Sequence, residues 1–389
     1  MHFGTTLKNK KEEGAIERAR INAKQLFVLV VLFEMGSAML VGFPLSLKQD
    51  AWIGLLMATA LGVLLFFIYY HLYKMYPDLP LTSYLQEIVG KWIGRILGYL
   101  YILYFTYLAA RVLRDFGELL TSTIYTNTPL FVLLTLSMII CAYAIQKGFE
   151  VIARVGELFF VVVYILAVVG FTLIIISKLI HLEYLRPMLE HGWGPIIKTV
   201  LKETITFPFG EMVVFTVLLP YLNQPKKVKQ VCIWGIILSG INLSIAAVIN
   251  IATLGVDLFI RSPYPLLTTI SKIQLANFIE RLDVLFMVYL MIGGVIKTTI
   301  FYYAAVIGTA DLFNFKDYRK LTFPIGVIIL VCSMMIATNY TEHIKEGLEI
   351  VPIYLHWPMQ MIIPSLLLLI GWIRKYSKQT KAASAQTNS

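Results

Sequence analysis

The sequence predicts an all-α polytopic membrane protein: ten transmembrane helices in a five-plus-five inverted repeat, with helices 1 and 6 broken. Three observations carry that expectation: a composition too apolar for a soluble domain, ten runs of membrane-crossing length, and matching interruptions in the two halves. Of 389 residues, 58% are hydrophobic and 14% are charged, with a mean hydropathy of +0.75. Soluble domains carry about 25% charged residues.

About 20 helical residues cross the hydrocarbon core, whereas a tilted strand needs only about 10. Six runs free of Asp, Glu, Lys and Arg are long enough for helices: 51–73, 119–146, 158–177, 230–256, 321–340 and 350–373. Four more emerge when sparse charges are allowed. These are 24–47 (broken by Glu34), 93–124 (Arg111 to Glu118), 196–222 (Lys198 to Glu203, then Glu211) and 282–310 (Asp283 and Lys297).

Ten spans divide into two fives, and because five is odd the second set enters the membrane from the opposite side, as inverted repeats require. The chain then reads as a tail (1–23), a first repeat (24–177), an outer loop (178–195), a second repeat (196–373) and a second tail (374–389). In each half the first span holds a lone glutamate, Glu34 or Glu211, followed by at least 13 uncharged residues. Each half also places a mixed segment between its second and third spans, LTSYLQEIVGKW (81–92) and PLLTTISKIQLANFIE (265–280), expected to lie as interfacial amphipathic helices. The third span of each half carries a basic residue, Arg111 or Lys297.

Cytoplasmic loops and tails collect lysine and arginine. With the N-terminus inside, 21 of the 33 basic residues fall on that side, so both tails are expected to be cytoplasmic. The first 24 residues are too polar for a signal-peptide core. The net charge of +10 follows from this topology and from attraction to anionic membrane lipid, and gives no reason to expect nucleic-acid binding.

Cys141, Cys232 and Cys332 are isolated within spans, which predicts packing as small apolar groups rather than disulfides or a metal quartet. The six histidines show no paired ligand spacing, and no phosphate loop, GxSxG or HExxH is present. The expectation is a protein without catalysis, metal or cofactor.

The chemistry is expected where the first helix of each repeat breaks, because transporters built this way bind substrate near the midplane at such points. The two breaks are EMGSAMLVGFP (34–44) and TFPFGEM (206–212). Pro208 removes a backbone donor and Gly210 tolerates unusual backbone angles, so together they predict an unwound turn. Unpaired backbone is not tolerated against lipid and must line a cavity or be buried in protein. The expected ligand-binding residues are Gly36, Ser37, Ala38, Gly42, Phe207, Pro208, Phe209, Gly210 and Glu211, with Glu34, Arg111 and Lys297 as charge or gating residues. A half-helix N-terminus suits a carboxylate, and the preceding C-terminus suits a cation, so a zwitterionic amino acid is the natural guest. An intramembrane charge costs roughly 2.5–3.5 kcal/mol, and Lys297 is expected to pair with Glu211 or Glu34. Arg111, Arg114, Asp115 and Glu118 read as outer-end residues that snorkel, and Tyr101, Tyr104 and Tyr107 as packing or interface residues.

These features carry a resemblance. YPDLPLTSYLQEIVGKWIG (76–94), LEYLRPMLEHGWGPI (182–196), FPFGE (207–211) and IERLDVLF (279–286) resemble, in order, the B subunits of bacterial endospore germinant receptors, a branch of the amino acid-polyamine-organocation transporter superfamily. The resemblance implies an amino acid transporter-like fold in the spore inner membrane, partnered by germinant receptor A and C subunits, with a pocket among spans 1, 3, 6 and 8. The chain departs from the superfamily's Gly-x-Gly pattern, having Gly36-Ser37-Ala38 and then Gly42. The ligand class therefore stays open among amino acids, sugars and nucleosides. The leading expectation is a germinant-sensing subunit. The alternatives are a proton-coupled amino acid transporter, with Glu211 as proton carrier, and a passive scaffold.

Overall fold

In the computed structural model, residues 20–273 and 282–387 are described, the side chains of Leu282 and of 376–387 excepted. Among them, nine helical segments are long and apolar enough to cross a membrane, and ten if one sharply bent pair counts as a span. The architecture is the expected five-plus-five inverted repeat with broken first and sixth spans, and this is a multi-pass membrane protein.

Span 1 is α1 (Ala23–Met35) and the short α2 (Ala38–Val41). Helix α1 starts where Asn22 and Gln25 cap each other reciprocally, at 2.9 and 3.0 Å, satisfying two donors that a helix start otherwise leaves free. Apolar all round, it lies inside the bundle. Span 2 includes α3 (Ala51–Met75), and the interfacial α4 (Leu81–Val89) packs its apolar face on α5 (Lys91–Thr123), the third span. Gly90 joins α4 to α5 at φ +91° and Gly148 joins α6 (Leu130–Lys147) to α7 (Phe149–Ile176) at φ +94°. A side chain is strained at such angles.

In the second half, span 6 runs from α8 (Trp193–Thr199) through a wide turn (Val200–Thr204) and a tight one (Phe209–Val214) to α9 (Phe215–Leu218). Then follow α10 (Val228–Arg261), the interfacial α11 (Pro265–Ser271), α12 (Leu282–Leu312), α13 (Arg319–Met335), α14 (Tyr340–Lys345) and α15 (Ile363–Thr387). The expected interfacial helix at 265–280 is seen as α11, and its part beyond Ile273 lies outside the described residues, as do most of the N-terminal tail and the start of IERLDVLF. Of the three cysteines, Cys141 and Cys232 are buried, Cys332 is half-buried, and all three are free thiols.

Two expectations need correction. Helix α7 begins nine residues before the expected 158, because Glu150 and Arg154 lie one turn apart, 3.8 Å from each other, and extend the helix at its polar end. The ninth span is not one rod over 321–340. The chain bends by 106° between α13 and the segment Tyr340–Ile350. Asn339 caps the new helix by accepting from Glu342 N at 2.9 Å, a start signal that a tally of charges misses.

The two halves meet at the end of the bundle where span 1 begins. There Ile21 N donates to Tyr221 O (3.1 Å) and Asn223 N to Ile21 O (3.0 Å). On the same flank, Ser83 of α4 donates to Asp311 of α12 at 2.7 and 2.8 Å.

Candidate functional site

The two breaks lie side by side in the core. In span 1 the helix stops at Gly36 (φ −31°, ψ −103°) and restarts at Ala38. Its neighbour there is α12: a Cβ on Gly36 would lie 3.0 Å from the Gly293 carbonyl and from Lys297 Cβ. Glycine at 36 is therefore a matter of close approach between two backbones.

In span 6 the turn occupies Ile205–Pro208, with a cis peptide at Phe207–Pro208. Gly210 lies just beyond it, in the tight turn Phe209–Val214, and is not among the glycines with positive φ. Its smallness has another reason than the expected backbone freedom: an added Cβ would collide with the Gln360 side chain of span 10. Gly210 N and Glu211 N already bond to Ile205 O (2.8 Å) and Pro208 O (3.0 Å).

The Lys297 ammonium, wholly buried on α12, stands 2.5 Å from Glu211 Oε2, so of the two expected pairings the one with Glu211 forms. It is an ion pair without hydrogen-bond alignment. The ammonium also faces the rings of Phe207 and Phe33, 4.7 and 5.0 Å from their centroids, where the ring quadrupole attracts it. Glu34 is fully buried within electrostatic reach of this pair, and neither of its carboxyl oxygens has a hydrogen-bond partner.

Beside the pair is a small, partly open cavity of about 40 Å³, room for about three waters at 10–15 Å³ each. Its walls are Ser37 and Val41 of span 1, Leu108, Arg111, Val112 and Asp115 of α5, Phe207 and Glu211 of span 6, Ile344, Gly347 and Leu348 of the segment Tyr340–Ile350, and His356 of span 10. Of the nine expected ligand residues, Ser37, Phe207 and Glu211 face this space, and Arg111 joins them. Ser37 Oγ has no partner. Ala38 and Phe209 are buried, the latter against Gly62 of α3, and Gly42 closes α2 by donating to Ala38 O at 2.9 Å.

Span 10 supplies the wall the sequence reading left out. Gln360 Nε2 donates to the Tyr104 hydroxyl (2.7 Å), which is also hydrogen-bonded to His356 Nδ1 (2.8 Å). Tyr69 OH donates to Gln360 O (2.7 Å) and is 3.1 Å from Gly210 O, and Tyr101 OH donates to Met359 O (2.7 Å). Tyr101 and Tyr104 therefore aim at span 10, whereas Tyr107 OH lies 3.5 Å from Glu346 of the segment Tyr340–Ile350. The signal was the polar pair His356 and Gln360 within HWPMQ, invisible because neither is charged. Span 8 contributes Lys297 behind Glu211 rather than a wall.

Arg111, Arg114 and Asp115 of α5 are buried rather than snorkelling, and Glu118 is half-buried. Arg111 Nη2 donates to His343 O (2.6 Å) and its Nη1 is 3.7 Å from Glu346. His343 Nε2 meets Asp115 Oδ1 at 2.7 Å, and Arg114 pairs with Glu118 at 2.7 Å while donating to Ser333 O at 3.2 Å. These contacts bind α5 to the bend between spans 9 and 10, so Tyr340–Ile350 is held over the cavity.

Broken spans 1 and 6 beside a cavity lined by buried charges define a membrane protein of the transporter-like inverted-repeat class. The fold agrees with two solved structures. One is Mhp1, a nucleobase-cation-symport-1 family transporter in a closed conformation with bromovinylhydantoin bound (TM-score 0.64, 11% identity, 92% of this chain and 90% of that one). The other is MhsT in complex with L-phenylalanine (0.62, 12%, 91% and 88%). Residues 20–341 match the family described as Spore germination protein, and the chain belongs to that family. It is 41% identical over 372 residues to spore germination protein KB of Bacillus subtilis strain 168, covering 95% of this chain and all of that one.

Proposed function

We propose that this chain is the germinant-sensing subunit of a spore germination receptor. It binds a small nutrient, most simply an amino acid, between the two breaks and passes the resulting bias to A and C subunits. It does so in the spore inner membrane, with both termini cytoplasmic. The observation that carries this reading is the cavity between the breaks, where Arg111 and Glu211 place opposite charges for a zwitterion and Ser37 offers a hydroxyl unpaired among the described residues. The small molecules bound in Mhp1 and MhsT support a ligand in this fold. At about 40 Å³ the cavity is too small for an amino acid, so binding requires the lid to shift. A ligand moves such an equilibrium only by its differential affinity for the two forms.

The test is deletion: spores lacking the protein lose the response to one nutrient and keep the others. An unchanged response to every nutrient overturns the proposal. The buried carboxylates Glu34 and Glu211 favour a second reading, proton-coupled amino acid transport. Accumulation of labelled amino acid in proteoliposomes under a pH gradient would establish it, and its absence leaves sensing alone.

A further inference from the structure

A second cavity, of about 250 Å³, lies on the opposite face of span 1 from the polar one. Ser37 and Val41 face the polar cavity, and Met35 and Met39 face this one. The remaining walls come from α7, α10, α11 and α12, and none of the lining residues is charged. Its two most polar groups satisfy each other, Asn242 Nδ2 donating to Tyr164 OH at 2.6 Å.

An apolar space holds no partners for water, and one of about 150 Å³ stays dry and takes up hydrocarbon. This one is larger. Its rim is formed by Val168, Phe171 and Ile245, which are 63%, 43% and 50% exposed and belong to the outer circumference of α7 and α10. The mouth is therefore continuous with the surface that meets the bilayer, and the molecule present at that mouth is a lipid chain. Inward, a narrow extension of about 10 Å³ is lined by Met35, Met39, Gly36 and Gly293, so the space ends behind the break in span 1.

We infer that this lateral cavity is a binding site for a bilayer acyl chain, which packs against Met35 and Met39 and supports the span 1 break from behind. Its chemistry is that of an unbranched hydrocarbon chain entering sideways between α7 and α10. The site is separate from the polar cavity and stands whether or not that cavity binds a germinant.

The experiment uses the full chain in proteoliposomes of phosphatidylethanolamine and phosphatidylglycerol containing a phospholipid with a diazirine in its acyl chain. Illumination followed by peptide mass spectrometry is expected to find adducts at Met35, Met39 or Tyr164, in addition to those on lipid-facing residues such as Ile139 and Leu158. Ala246→Phe, which fills the cavity, should abolish the former and leave the latter. Should that variant fail to fold, Ala167→Leu narrows the same space. Adducts at Met35, Met39 and Tyr164 no more abundant than at the core residue Phe33, or undiminished in the filled variants, overturn the inference.

Discussion

Lys297 of span 8 and Glu211 of span 6 form a fully buried ion pair, 2.5 Å apart, in the wall between the two helix breaks. Removing one member of such a pair typically costs about 3–5 kcal/mol, whereas removing both is often neutral. Lys297→Met alone should therefore lower the melting temperature of the purified protein, and Lys297→Met with Glu211→Gln should recover most of the loss. The germination response should stay impaired in both. A double variant no more stable than the single one would show that the pair is not the source of the cost.

The hydrogen-bond chain at span 10 leads to a second expectation. Gly210→Ala places a methyl group on the Gln360 side chain, displacing it from Tyr104 and leaving buried polar groups unpaired at about 1–3 kcal/mol each. Adding Gln360→Ala relieves the collision, so the double variant should melt higher than Gly210→Ala alone. Thermal unfolding of the three proteins decides it. A passive scaffold would predict an intact germination response even in Gly210→Val at normal protein levels.

The α1–α12 contact at Gly36 and Gly293 cannot yield in the same way. A Cβ on Gly293 would lie 2.9 Å from Gly36 Cα, and both sides of that contact are backbone. Gly293→Ala should destabilise by about 1–3 kcal/mol, the usual cost of overpacking, and no single side-chain truncation nearby should restore it.

His343→Leu stays close to histidine in volume but removes the bond to Asp115. A charge-assisted hydrogen bond contributes about 1.5–3 kcal/mol, so the lid over the cavity is held less firmly. The half-maximal germinant concentration should then fall, by about tenfold for each 1.4 kcal/mol taken from the closed form. An unchanged or raised concentration at normal protein abundance would count against the lid role.

A fifth expectation concerns protons. If Glu211 carries one, Glu211→Gln flattens the pH dependence of the germination response, measured across pH on spores of equal receptor content. An unaltered profile argues against that role.

Some of this site was legible in the chain alone. The charges Glu34, Glu211 and Lys297 are conspicuous because hydrocarbon tolerates no stray ion, so each had to face the interior. The breaks at Gly36 and Pro208 were visible for a similar reason, since backbone that leaves a helix in a membrane must be enclosed. By contrast, Gly210 was read for its backbone freedom when its real constraint is Gln360, 150 residues away. Tyr101 and Tyr104 read as packing because their partners, the Met359 carbonyl and the side chains of His356 and Gln360, carry no charge. Arg111 and Asp115 read as outer-end residues because nothing local shows that Tyr340–Ile350 folds over them.

The sequence by itself determined that this is a membrane bundle, where its spans run and which two helices break, because transfer into hydrocarbon is costly for every charge and every unpaired peptide group, whatever surrounds them. Only the tertiary structure decided that Lys297 meets Glu211 rather than Glu34, that Tyr340–Ile350 and span 10 complete the wall of the polar cavity and that a second, apolar cavity backs the first break. These depend on contacts between helices far apart in the chain, and no local energetic cost marks them.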